Sequence, residues 1–222
     1  MMGGRKLGRW MAAWLLAVSC ATASAEVVDR TIAVVNKHLV TWSDLDEQMR
    51  FEALENERPL KSLTAADQRT AFNHLVQDWI LRDQMQGMLP VSESDVDTRI
   101  AAIRDEWKAV GDDAKWAATL ERYGLSAQEL GSLVANQVEI LRFLEFRVRP
   151  MVQVSRQEVD DYYSTALVPQ LKARGETPEP EDQLSAKILQ VLEEQKMNAE
   201  TDKWINTLRS QSHVQILWDG VR

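Results

Sequence analysis

One cysteine, Cys20, stands in a chain of 222 residues, and it falls inside an N-terminal stretch that reads as a leader. Without it the rest of the chain has no disulfide, no thiolate metal ligand and no thiol nucleophile. Histidine is also scarce. His38, His74 and His213 are scattered, and none has a partner at metal-ligand spacing. No HExxH, GxSxG or phosphate-cradling glycine loop occurs. Acidic neighbours such as Asp160-Asp161 and Glu193-Glu194 fall on expected helices, where adjacent side chains point about 100° apart and suit solvated faces better than a catalytic pair. Basic charge is short too: 26 Lys and Arg against 34 Asp and Glu give a net charge of −8. That balance opposes a nucleic-acid partner, which binds through clustered lysine and arginine.

Long apolar runs are missing as well. Trp10 to Val18 is the longest candidate and is too short to span a bilayer as a helix. It follows Arg5, Lys6 and Arg9 and precedes Ala23-Ser24-Ala25, a small-x-small cleavage site. Residues 1–25 therefore read as a secretory signal peptide, which places the protein in the periplasm. An uncleaved anchor is the competing reading, disfavoured by the short apolar run, and a lipid anchor at Cys20 is a third, disfavoured because Ala17 stands where a leucine is usual. Beyond residue 25 the chain carries −11 and has 197 residues, enough for one sizeable core.

What is present is helical pattern with clear punctuation. Leu130, Leu133, Val134, Val138, Leu141 and Leu144 recur at spacings of three and four, which predicts a long helix from behind Ser126 to about Val148. Gly124 closes the helix before it and Pro150 stops it. Ser126 with Glu129, and Ser155 with Glu158, have the spacing of a capping box. Ser43, Thr64 and Ser92 read as further helix starts. Thr31–Val35 and Leu39–Thr41 read as a hairpin turned at Asn36-Lys37-His38. Residues 166–183, with Pro169, Gly175, Pro178 and Pro180, read as a linker or a mobile loop. Leu184 to Leu208 reads as one helix with a polar middle, and Val214 to Trp218 as a last strand. That strand needs a mate, and the hairpin is the candidate.

The expected fold is mainly α: a multi-helix core with a small β-hairpin near the N-terminus, joined by a C-terminal strand. Residues 26–165 form the N-terminal helical domain and 184–222 complete the same core. Such an assembly leaves a cleft between helices. The candidate cleft residues are Met49, Met85, Met88, Trp107, Trp116, Leu133 and Leu141, although core packing is the blander assignment for each methionine and tryptophan.

Several short stretches together resemble the SurA family of periplasmic chaperones. They are Ile32-Ala33-Val34-Val35-Asn36 with Leu39 to Leu45, then Leu75-Val76 with Ile80-Leu81 and Gln84, then Val91-Ser92-Glu93 with Val96-Asp97. Tyr123-Gly124-Leu125-Ser126 with Glu129-Leu130, Arg147-Val148 with Pro150, Val154-Ser155 with Glu158-Val159, and Tyr162-Tyr163 continue the likeness. Trp204-Ile205, Leu208-Arg209 and Val214-Gln215-Ile216 close it. The match covers Val27 to Ser164 and Leu184 to Leu217, and the order of the motifs is more specific than any one of them. Family members commonly carry parvulin-type prolyl isomerase domains where residues 166–183 stand here. The resemblance thus implies a chaperone core without an isomerase domain, holding unfolded outer-membrane or envelope polypeptides without ATP, cofactor or metal. A prolyl isomerase with an unrecognised site, and a dedicated assembly partner of one envelope complex, are the other readings.

Overall fold

The computed structural model of the chain describes residues 29–85 and 90–221. The leader expected at 1–25, with Cys20, and the candidate Met88 lie outside the described residues.

Strands β1 (Thr31–Val35) and β2 (His38–Thr41) form an antiparallel hairpin. Asn36 turns it with φ 54°, a conformation asparagine tolerates. Strand β3 (Val214–Ile216) pairs antiparallel with the other edge of β1, so the sheet order is β2-β1-β3. The junction is doubly tied: Asn36 N donates to His213 O at 2.7 Å, and His213 N donates to Asn36 Oδ1 at 2.8 Å. The expected mate of the C-terminal strand is therefore its true one. The strand itself is shorter than its pattern, and Trp218 leaves the sheet to set its ring edge-on against Phe72 and Trp42.

Helix α1 (Trp42–Glu55) follows β2 without a loop. Its cap is Thr41, two residues earlier than the expected Ser43. Thr41 is still extended, as the last residue of the strand, and exchanges a capping box with Asp44. The Ser43 N–H points outward and donates to Asp29 Oδ1. Helix α2 (Ala65–Arg82) starts at a Thr64–Asp67 box, α3 (Glu93–Glu106) at Ser92, and α4 (Asp113–Tyr123) at Asp112. Helix α5 (Ala127–Val148) starts at the Ser126–Glu129 box. Between α4 and α5, Gly124 takes φ 64°, and its carbonyl accepts from Arg50 Nη1 at 2.6 Å. A Cβ there would meet that Nη1 at 3.1 Å in a backbone region L-residues avoid. Gly124→Ala is expected to lower the unfolding free energy by about 1 kcal/mol, read from the urea midpoint.

Helix α6 (Arg156–Tyr162) starts at the Ser155–Glu158 box. Here the structure corrects the expected linker. The chain continues through a π turn (Tyr163–Leu167) into α7 (Val168–Ala173), so only the residues from Arg174 to Pro180 are extended or turning. Proline ends a helix when its ring crowds the carbonyl four residues back. A wider π turn lies directly ahead of Pro169, with Val168 N donating to Tyr163 O, and lets the helix pass. Helix α8 (Glu181–Gln211) is anchored at its two ends, by Ile188 and by Ile205 with Leu208, while its middle is polar as expected. Arg156 bridges to Glu181 at 3.0 Å and Lys196 to Glu158 at 2.6 Å, fastening α8 to α6.

Two clusters of buried side chains hold these elements. The first joins Ile32, Val35 and Val40 of the sheet to Phe72, Val76 and Ile80 of α2, with Ile140 and Phe143 of α5 and Ile205 and Leu208 of α8. The second joins Phe51 and Leu54 of α1 to Ile103 of α3, Trp116, Leu120 and Tyr123 of α4, and Leu130 and Val134 of α5. Helices α1 and α5 each contribute to both clusters, so they set the two cores relative to each other.

Candidate functional site: a groove between α1, α2 and α5

The expected apolar stripe of α5 is buried only in part. Leu130, Val134 and Val148 are buried, and so are Ile140 and Phe143, which the stripe omitted. Leu141 shares its side of the helix with Leu130, Val134 and Val148, yet it is 56 % exposed. The reason is a gap. At Leu141 the helix passes over a groove of about 510 Å³ that α1 and α2 complete.

Leu133, Ile140, Leu141 and Leu144 of α5 and Leu75 and Trp79 of α2 give the groove its apolar wall. Trp79 is held in place from two sides. The His38 ring stacks on it with centroids 4.3 Å apart, and the Arg82 guanidinium lies over it at 5.1 Å. His38 Nε2 meets Asp83 Oδ1 at 3.0 Å, and the Asn36 side chain donates to the same carboxylate. The hairpin turn thereby locks the end of α2 and the orientation of the tryptophan.

The opposite wall is acidic. Asp44, Glu47, Glu52 and Glu55 recur along α1 at intervals of three to five residues, and Asp78 of α2 joins them. Three of the five are engaged. Asp44 accepts from Thr41 N at 2.8 Å. Glu52 accepts from Gln48 at 2.9 Å and pairs with His74 at 2.8 Å. Glu55 accepts from Gln137 at 3.0 Å and from Arg99 at 2.6 Å. Glu47 and Asp78 have no hydrogen bond or ion pair among the described residues. Burial pushes the Asp78 carboxyl up to about 6, with Arg82 and His74 offsetting only part of that and Glu52 adding to it. Burial, then Glu129 and Asp44, raise Glu47 in the same direction. The hydrogen bond to Glu52 raises His74.

Of the seven candidate residues, the structure brings Leu133 and Leu141 to this groove. Met49 borders a smaller, neighbouring depression of about 200 Å³. Met85 packs against the first core, beyond the end of α2. Trp107 packs on the second core and donates from Nε1 to Leu54 O at 3.1 Å. Trp116 is 8 % exposed within that core, with Arg104 over its ring at 5.6 Å. Both tryptophans thus answer to the core assignment. Trp79, Leu75, Ile140 and Leu144 were passed over as groove residues, as was the acidic wall. The spacing of Asp44, Glu47, Glu52 and Glu55 was the sequence signal for that wall.

Among the described residues no group of three or more His, Cys, Asp or Glu side chains is placed to hold a metal ion. None of their helices is long and apolar enough to cross a membrane. A second apolar depression, of about 330 Å³, lies where Leu167 and Leu171 face Leu184 and Ile188.

No family model matches the chain. It is similar to proteins named Chaperone SurA. The one from Chromobacterium violaceum is 27 % identical over 145 residues, which is 63 % of this chain and 33 % of that protein. The one from Methylobacillus flagellatus is 22 % identical over 155 residues, 68 % of this chain and 35 % of that protein. The one from Alcanivorax borkumensis is 25 % identical over 155 residues, 67 % of this chain and 34 % of that protein. The chain is SurA-like, and it spans about a third of the length of these curated relatives.

Proposed function

We propose that this chain is a periplasmic, ATP-independent holdase that shelters unfolded outer-membrane or envelope polypeptides in the groove between α1, α2 and α5. One observation carries the reading. Leu141 is open to solvent on a helix face that is buried before and after it, over a groove walled by Leu133, Leu144 and Trp79. A preformed apolar wall of this kind can take up client side chains without prior rearrangement, and leucine and tryptophan accept many shapes of partner. The likeness to chaperones supports the class of activity. The leader read at residues 1–25 supports the compartment.

The test uses the chain from Glu26, which retains every described residue. Unfolded outer-membrane barrel proteins are diluted into buffer without ATP, and light scattering is followed with and without an equimolar amount of this protein. Aggregation of several unrelated clients should be suppressed. Leu141→Glu should weaken client binding by roughly tenfold, because it puts an unpaired charge on the apolar wall. Phe146→Glu, at a residue 74 % exposed and away from the groove, should not. No suppression of any client would sink the holdase reading. Suppression of one client alone would favour a dedicated assembly partner.

A further inference from the structure

We infer that the groove selects client segments in which a lysine or arginine is flanked by apolar or aromatic residues. The inference rests on the proposed holding of unfolded segments and adds the chemistry by which a segment is chosen.

The argument starts from which charges in the groove are already satisfied. Glu52 has His74 and Gln48, Glu55 has Arg99 and Gln137, and Asp44 is occupied by its capping bond. Glu47 and Asp78 are half-buried and make no hydrogen bond or ion pair among the described residues, and Arg50 offsets the burial of Glu47 only in part. The nearest cation in sequence relieves Asp78 only in part: Arg82, one helical turn on, lies over the Trp79 ring and makes no ion pair among the described residues. His74, one turn back, is taken by Glu52. A carboxylate withdrawn from water without a partner is unfavourable, and an incoming ammonium or guanidinium removes that penalty. Across from it stand Leu133, Leu141 and Leu144, with Trp79 on the same helix as Asp78. A segment that offers one cation and flanking apolar side chains can satisfy both walls together. A purely apolar segment leaves the two carboxylates unrelieved, and an acidic one is repelled.

The groups facing Asp78 set the effect of pH. From α1 these are Glu47, Glu52 and Glu55; from α2 they are His74 and Arg82; α5 supplies the uncharged Asn136 and Gln137. Around Glu47 stand Asp44 and Arg50 of α1 and Glu129 of α5. Raising the pH through about 6 ionises Asp78, and loss of the protons on Glu47 and His74, both held above their ordinary values, acts in the same direction. Each change makes the groove more negative, so affinity for a cationic segment should rise from pH 5 to pH 7.5.

The experiment measures anisotropy of three fluorescein-labelled twelve-residue peptides with the chain from Glu26. The peptides share the same alternating phenylalanine and leucine positions and differ in carrying lysine, glutamine or glutamate between them. At low salt the lysine peptide should bind about tenfold more tightly than the glutamine peptide, and the advantage should shrink in 0.3 M salt. Asp78→Asn combined with Glu47→Gln should erase the advantage, so that the lysine and glutamine peptides bind alike, with the fold checked by circular dichroism. Leu141→Glu should weaken the glutamine peptide, which places it in the groove. Equal affinity for the lysine and glutamine peptides, with that sensitivity to Leu141→Glu, overturns the selectivity and spares the holdase reading. Preference for the glutamate peptide, or an advantage that persists in the double variant, also overturns the selectivity. Failure of all three peptides to bind overturns both.

Discussion

Asp78→Asn should raise the unfolding free energy by about 2 kcal/mol at pH 7.5 and by much less at pH 4.5. The sign follows from linkage. Burial lifts the folded-state carboxyl from 3.8 to about 6, so between those values the folded chain holds a proton that the unfolded chain has released. Stability contributed at this position therefore falls as the pH rises through that window and stays low above it. Asparagine has no charge to bury, so the variant escapes the loss. The full shift corresponds to about 3 kcal/mol, and the access of the side chain to the open groove reduces it. His74, raised by Glu52, also loses its contribution as the pH rises, but it does so in both proteins and leaves the difference largely untouched. Urea unfolding of the two proteins at both pH values checks this. A variant no more stable at pH 7.5, or a gain equal at the two pH values, would refute the assignment of an unrelieved charge at Asp78. The expected gain in stability comes with an expected loss of selectivity for cationic segments, the usual relation where a binding site holds a group the fold would do better without.

Two phenylalanines should answer the same substitution in opposite ways. Phe72 is 1 % exposed and sits where α2, the sheet and Trp218 meet. Phe72→Ala removes a large side chain from a packed core, and the neighbours cannot all collapse into the space, so a loss of about 3–5 kcal/mol is expected. Because the hole lies beneath both the hairpin and the C-terminal segment, the sheet should be felt first. Protection of the β1 amides from hydrogen exchange is a second readout. Phe146 on α5 has little packing to lose, and Phe146→Ala should stay within about 0.5 kcal/mol of the parent in urea. If the two variants shift equally, the core placement of Phe72 is wrong.

The helix starts were legible because a cap is a local event. Thr64, Ser92, Ser126 and Ser155 each accept from a backbone N–H three residues on, and that geometry needs nothing beyond a few neighbours. Thr41 was missed in favour of Ser43 because the strand runs straight into the helix, and only the pairing of β2 with β1 shows which residue is still extended. The C-terminal strand could be given its mate since the sequence held no other candidate. Residues 166–183 misled because Pro169 counts as a breaker until the π turn ahead of it is seen. The groove was legible only where surplus apolar residues betrayed it, at Leu133 and Leu141. Trp79 and Trp116 fit the same helical pattern. Which one lines a groove and which fills a core depends on what α5 covers, and α5 lies some 50 residues beyond Trp79 in sequence.

The β1–β3 pairing joins Ala33 to Ile216 and so closes the chain over about 180 residues. Contacts of that span are slow to form, because the ends must find each other before any pairing repays the search. A chain delivered N-terminus first, as through a secretion channel, presents β1 before its second partner. For that interval the hairpin presents Ala33, Val34 and Val35 along an open edge, the feature by which strands of different chains associate. A protein read here as a guard against the aggregation of others thus passes its own youth with a sticky edge, and its last dozen residues are what retire it.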